Sequence, residues 1–80
     1  MAKDKRLEEE ILSVIREMLG KEVSLEDKIE DIPEWDSLKH LQIILEIEDK
    51  LRIKIPIEHI GKIERVSDLI QMALKLISNE

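Results

Sequence analysis

The chain has no cysteine, no phenylalanine and no tyrosine, and it holds one tryptophan, two glycines and two prolines. Without cysteine there is no disulfide framework and no zinc-thiolate site. Without Phe or Tyr the core has to be aliphatic, built from Leu, Ile, Val and Met, and easier to part than one locked by ring stacking. No apolar run approaches the length of a membrane span, and Met1-Ala2-Lys3-Asp4 opens no signal-peptide hydrophobic region. The expectation is therefore no membrane insertion and a cytoplasmic address. Positive charge is also short: 13 Lys and Arg stand against 19 Asp and Glu, for a net charge of -6. That deficit argues against nucleic acid, whose phosphates have to be neutralised by Lys and Arg. It favours partners with basic surfaces, although solubility alone accounts for the same acidity.

The 80 residues suffice for one domain, residues 1–80, near the size below which a core needs covalent staples. Its most informative stretch runs from Pro33 to Leu51. Pro33 biases Ile32 to an extended conformation and helps to stop a loop. Asp36 is a strong N-cap type, its carboxylate able to accept from the free N–H groups of a first helical turn. Ser37 then becomes the first residue of a helix of about four turns, with its hydroxyl at the positive end of the helix dipole. At about 100° per residue, Ile43, Ile44, Ile47 and Leu51 fall on one side, and Leu38, Leu41 and Leu45 on a stripe beside it. The combined apolar arc of roughly 220° is wider than the stripe of about 100° that a surface helix needs. Either the helix is buried nearly all round, or the isoleucines pack inward while the leucines beside Ser37 meet partners. Lys39, Gln42, Glu46, Asp49 and Lys50 fill the polar arc, with Glu46 and Lys50 spaced for an i,i+4 pair.

Elsewhere, Leu7, Ile11, Val14, Ile15 and Met18 follow helical spacing, predicting a first amphipathic helix from about Asp4 to Leu19 that Gly20 closes. Residues 21–35 show no helical period. Val23, Leu25, Ile29 and Ile32 are spaced irregularly, as anchors pinning a long ordered loop, and Ser24-Leu25-Glu26-Asp27 suits a short capped turn. Arg52 to Pro56 alternates polar and apolar residues but has no partner strand, so it is expected to be an extended link. Ile57 to Ile63 offers one or two helical turns broken by Gly61. A last helix is predicted from Val66 or Ser67 to Ile77, capped by Ser67 or the residue before it. The expected fold is all-α: three main helices plus one short one, with a long loop between the first and second.

Asp36-Ser37-Leu38, then Leu41-x-x-Ile44-Leu45-x-Ile47-Glu48, then Ile55-Pro56 resembles the acyl carrier proteins. The resemblance covers nearly the whole chain in length, element order and loop placement, and is sharpest from Trp35 to Pro56. It implies that Ser37 is esterified by 4'-phosphopantetheine, whose terminal thiol holds acyl groups as thioesters. Asp36 would be read, with Ser37, by the magnesium-dependent phosphopantetheinyl transferase that installs this arm. Leu38, Leu41, Leu45, Glu48 and Asp49 would face acyl-activating and acyl-transferring enzymes through their basic docking patches, with the carrier acting as a monomer. Trp35 has two readings: a staple on the first helical turn, or an indole beside the arm or at a partner surface. Lys39 stands where housekeeping fatty-acid carriers commonly have an acid, and Glu34-Trp35 where a Gly-x pair is typical. Gln42 and Glu46 also depart from the usual choices, which points to a specialised stand-alone member.

No nucleophile–base pair suggests catalysis, so the chain is expected not to be an enzyme. Asp36 and His40 are two candidate metal ligands without a third, so no metal is expected. His59 reads as a surface or half-buried residue. Two other functions stay open: an aminoacyl or peptidyl carrier on the same arm, and an unmodified helical module that binds through the leucine stripe. A long acyl group is expected to shelter between the aliphatic helices near Ile43, Ile47 and Leu69.

Overall fold

The structure, a computed structural model, describes residues 2–78, with side chains from 5 to 77. The helices are α1 (Ala2–Leu19), α2 (Ser37–Leu51), α3 (Ile57–Ile60) and α4 (Val66–Ser78), with a 3-10 turn at Ile29–Asp31 inside the first loop. Among the described residues there is no strand, only an isolated antiparallel bridge between Lys28 and Arg65. This is the expected all-α arrangement.

Helix α1 starts two residues before the expected Asp4, because Ala2 and Lys3 are both good helix formers. Its buried face is wider than spacing alone suggested, taking in Leu12 and Leu19 besides Ile11, Val14 and Ile15. The reason is that α1 packs against α2 and against α4. Gly20 ends it at φ +72°, a left-handed conformation that favours glycine, and donates its N–H to Arg16 O at 2.8 Å.

The long first loop is ordered by its own anchors and by the start of α4. Val23 and Ile32 are buried, and Leu25 and Ile29 pack half-buried against the core. The Ser24–Asp27 turn forms, with the Asp27 carboxylate accepting from Ser24 N–H at 2.9 Å. Val66 N–H donates to Asp27 O at 3.1 Å and Ser67 N–H to Leu25 O at 3.0 Å. Two of the N–H groups that a helix start leaves without intrahelical partners are thereby taken by loop carbonyls. In place of the expected side-chain cap at Ser67 or the residue before it, Asp68 Oδ2 accepts from Glu64 N–H at 3.1 Å and Arg65 N–H at 3.0 Å. Asp68 lies in the first turn and reaches back, as the acid of a capping box does. Arg65 adds a guanidinium bond to Glu26 O at 2.8 Å.

Helix α2 crosses this frame with Ile43, Ile44 and Ile47 buried and Leu51 half-buried. Each fully buried isoleucine stabilises the fold by about 1.5–3 kcal/mol relative to an exposed one. The helix ends on Arg52 at φ 58° and ψ 49°, with Glu48 O accepting from the Arg52 and Ile53 N–H groups. A non-glycine residue there costs about 1 kcal/mol. The link to α3 is extended, as expected, and α3 is a single turn stopped at Gly61.

Candidate functional site

Local chemistry at the start of α2 decides where Ser37 sits. Trp35 N–H donates to Ile32 O at 3.0 Å, turning the chain at Pro33-Glu34. Asp36 then adopts an extended conformation, and its Oδ1 accepts from Lys39 N–H at 2.8 Å, which is the geometry of an N-cap. Asp36 O accepts the first helical bond, from His40 N–H at 2.8 Å. Ser37 follows as the first residue of the helix, exposed to solvent. Neither the Ser37 nor the Leu38 N–H has an acceptor among the described residues. With the helix dipole, these groups favour a negative charge at the tip of α2.

The leucines of α2 separate from the isoleucines. Leu38, Leu41 and Leu45 are 65%, 51% and 63% exposed, whereas Ile43, Ile44 and Ile47 are buried. Of the two arrangements left open by the sequence, the structure has the isoleucines inward and the leucines outward. Asp49 and Glu46 are exposed near the stripe. The i,i+4 pair of Glu46 with Lys50 is not formed, whereas Arg16 pairs with Glu22 and Lys21 with Glu34. Both Glu46 and Lys50 are exposed, where solvation competes with such pairs.

Two expected partner-facing residues are placed differently. Trp35 is only 5% exposed, so its indole is not at a partner surface. It directly precedes the cap and meets the fourth helical residue: its Nε1–H donates to His40 Nδ1 at 2.9 Å, with ring centroids 5.9 Å apart. These are the positions of a staple, with histidine in place of an apolar partner. Glu48 is half-buried, and its Oε2 accepts from Ile55 N–H at 2.7 Å. That carboxylate braces the link to α3, whereas Asp49 is free in solvent.

Sequence reasoning did not single out His40 for any of this. Its Nδ1 holds the Trp35 indole, and its Nε2 lies 3.0 Å from Ile60 O at the end of α3. The bonds join the loop, α2 and α3 beside Ser37, and they leave neither ring nitrogen available to a metal. The signal that could have found the pair is the cap itself, since Asp36 as N-cap makes Trp35 and His40 the two staple positions; the bond to Ile60 carries no local signal. Trp35, Asp36, Ser37, His40, Leu41 and Ile60 line one open groove of about 380 Å³.

Among the described residues, a bundle of four helices with a long ordered first loop and an exposed serine opening its second helix is the class of molecule this geometry defines. No family model matches the chain. A curated protein named acyl carrier protein, from Rickettsia bellii (strain RML369-C), is 30% identical over 73 residues, covering 88% of this chain and 85% of that protein. The crystal structure of an acyl carrier protein from Thermotoga maritima is similar to it with a TM-score of 0.79 and 26% identity, over 95% of this chain and 92% of that one. The chain belongs to the acyl carrier protein family.

Proposed function

We propose that the chain holds acyl groups as thioesters on a 4'-phosphopantetheine arm esterified to Ser37, and presents them to partner enzymes without catalysis of its own. The observation that carries this reading is the exposed Ser37 at the first position of α2, behind the Asp36 cap. The residues fit the group. A phosphodiester on Ser37 would sit where the Ser37 and Leu38 N–H groups lack acceptors. The arm, when attached, supplies the thiol that carries the cargo. The chain supplies a fixed tether point and a recognition face, with Leu38, Leu41 and Leu45 exposed next to it and Asp49 on the same helix. No helix among the described residues is long and apolar enough to cross a membrane. We place the carrier in the cytoplasm as a monomer, served by a phosphopantetheinyl transferase and by acyl-activating and acyl-transferring enzymes.

Incubation with coenzyme A and a promiscuous phosphopantetheinyl transferase is expected to add one arm, seen by intact-mass spectrometry. Ser37→Ala is expected to abolish the addition while leaving the helical circular dichroism unchanged. No adduct with any of several transferases would refute the reading. The exposed leucine stripe favours one second reading, an unmodified interaction module, since clustered apolar surface marks interaction sites. In that case Ser37→Ala leaves cellular function intact while Leu41→Asp destroys it. Mass analysis of the loaded thioester from the native host separates acyl from aminoacyl cargo.

A further inference from the structure

The imidazole of His40 bridges two groups of opposite and fixed character. The Trp35 indole N–H can only donate, and the Ile60 carbonyl can only accept. Both bonds, at 2.9 Å and 3.0 Å, therefore exist together in one protonation state: neutral imidazole with a lone pair on Nδ1 and the proton on Nε2. The other neutral tautomer sets a lone pair against the carbonyl and a proton against the indole N–H. The imidazolium keeps the bond to Ile60 O but turns Nδ1–H on the indole N–H, donor against donor. Trp35 is buried, so its N–H, once displaced, finds water only if the indole or the loop moves.

One bond of this bridge reaches α3, beside the packing of Ile60 against the core. The backbone bonds at the ends of α3 are local, His59 N–H to Pro56 O at 2.9 Å and Lys62 N–H to His59 O at 3.1 Å. Ile57 is 84% exposed and Ile60 only half-buried. Among the described residues, the His40 bond is the hydrogen bond that ties α3 to another helix. The ionisable groups on the surrounding elements include Glu30, Asp31, Glu34 and Asp36 in the loop, Lys39 on α2, Glu58 and His59 on α3, and Lys62 and Glu64 beyond it. Of these only Asp36 lines the groove with His40. Its Oδ1 is engaged by Lys39 N–H, and no carboxylate bonds the imidazole.

We infer that His40 is a positioning residue, a proton-sensitive latch that holds Trp35 and α3 against the start of α2 and loosens them when the imidazole takes up a proton. The wall of the groove beside Ser37 is then set by the protonation of His40. This rests on the hydrogen-bond geometry and holds whether or not Ser37 carries an arm.

The test uses the full-length chain without any arm. Long-range ¹H–¹⁵N spectra near about pH 8 are expected to show His40 with its proton on Nε2. Between about pH 8 and about pH 5, the range in which imidazoles change charge, two readouts are followed. Emission from Trp35, the only aromatic side chain of the Phe, Tyr and Trp set, is expected to shift to the red. Exchange protection of the His59 and Lys62 amides is expected to fall about two- to tenfold, the weight of one hydrogen bond. His40→Gln, whose amide accepts and donates but takes up no proton, is expected to flatten both profiles, and His59→Gln to keep the wild-type ones. A proton on Nδ1 at the upper pH would overturn the inference. So would flat emission and protection while the His40 ring shifts report protonation. If His40→Gln does not fold, the wild-type tautomer and pH profiles decide alone.

Discussion

Helix α2 carries two apolar faces of nearly equal size and opposite fate. Ile43, Ile44 and Ile47 have essentially no exposed surface, whereas Leu38, Leu41 and Leu45 each keep half or more of theirs. Hydropathy does not separate them; neighbours do. The isoleucines point where α1 closes on α2, and the leucines lie on the side that opens from Ser37. A helix can thus be apolar over most of its circumference with one side in the core and the other in solvent, the side we propose for recognition.

The largest effect that could break this contrast comes from matched truncations. Ile47→Ala is expected to cost about 2–5 kcal/mol in urea denaturation, transfer and cavity terms together. Leu45→Ala is expected to stay within about 0.5 kcal/mol of wild type. Similar losses at both would mean that the leucine face is core. Next comes Glu48, at the boundary between the faces: Glu48→Ala removes the acceptor of Ile55 N–H and is expected to cost about 1–3 kcal/mol. Asp49→Ala, in free solvent, is expected to leave the midpoint unmoved, and equal behaviour of the two would make Glu48 an ordinary surface acid. Asp36→Ala weakens the helix that bears both faces, by about 1 kcal/mol, and thermal melts of the arm-free chain check this.

The smallest effect lies outside both faces. The Glu34 carboxyl is held below its ordinary value of 4.5 by a hydrogen bond to its own backbone and then by Lys21 Nζ at 3.2 Å. A depressed carboxylate adds stability that is complete above 4.5 and is lost as pH falls through the folded value. Because Glu34 is solvent-exposed, the gain is slight. The stability difference between wild type and Glu34→Gln should shrink as the pH is taken down through and below 4.5, and a difference that persists in acid would assign it to packing.

These features differ in how far the sequence disclosed them. The start of α2 was legible because a cap acts within three residues: Asp36 and Lys39 N–H are neighbours in the chain. Gly20 was legible for the same reason, its left-handed conformation being a property of one residue. The split of α2 was half legible, since spacing separates the two stripes but does not say which one meets α1. Trp35 had a staple position that the cap implied; its burial takes the indole away from a partner surface, while it still lines the groove beside Ser37. What stayed hidden joins distant segments. Glu48 reaches Ile55 because Arg52 reverses the chain in a conformation that a non-glycine residue gives no reason to expect, and Ile60 meets His40 across twenty positions. The cap of α4 was sought at the helix boundary and lies one turn inside, at Asp68.

The bonds from the first loop to α4 bear on how this molecule could be re-engineered. Asp27 and Leu25 accept from Val66 and Ser67 through main-chain oxygens, so what the last helix reads is the path of the loop more than its side chains. Outside the Val23 and Leu25 anchors and the Asp27 turn, spelling can change there while length cannot: dropping one residue between Gly20 and Ile29 would slide both carbonyls out of register with the helix they close. Grafts from relatives should therefore be matched by loop length before they are matched by identity.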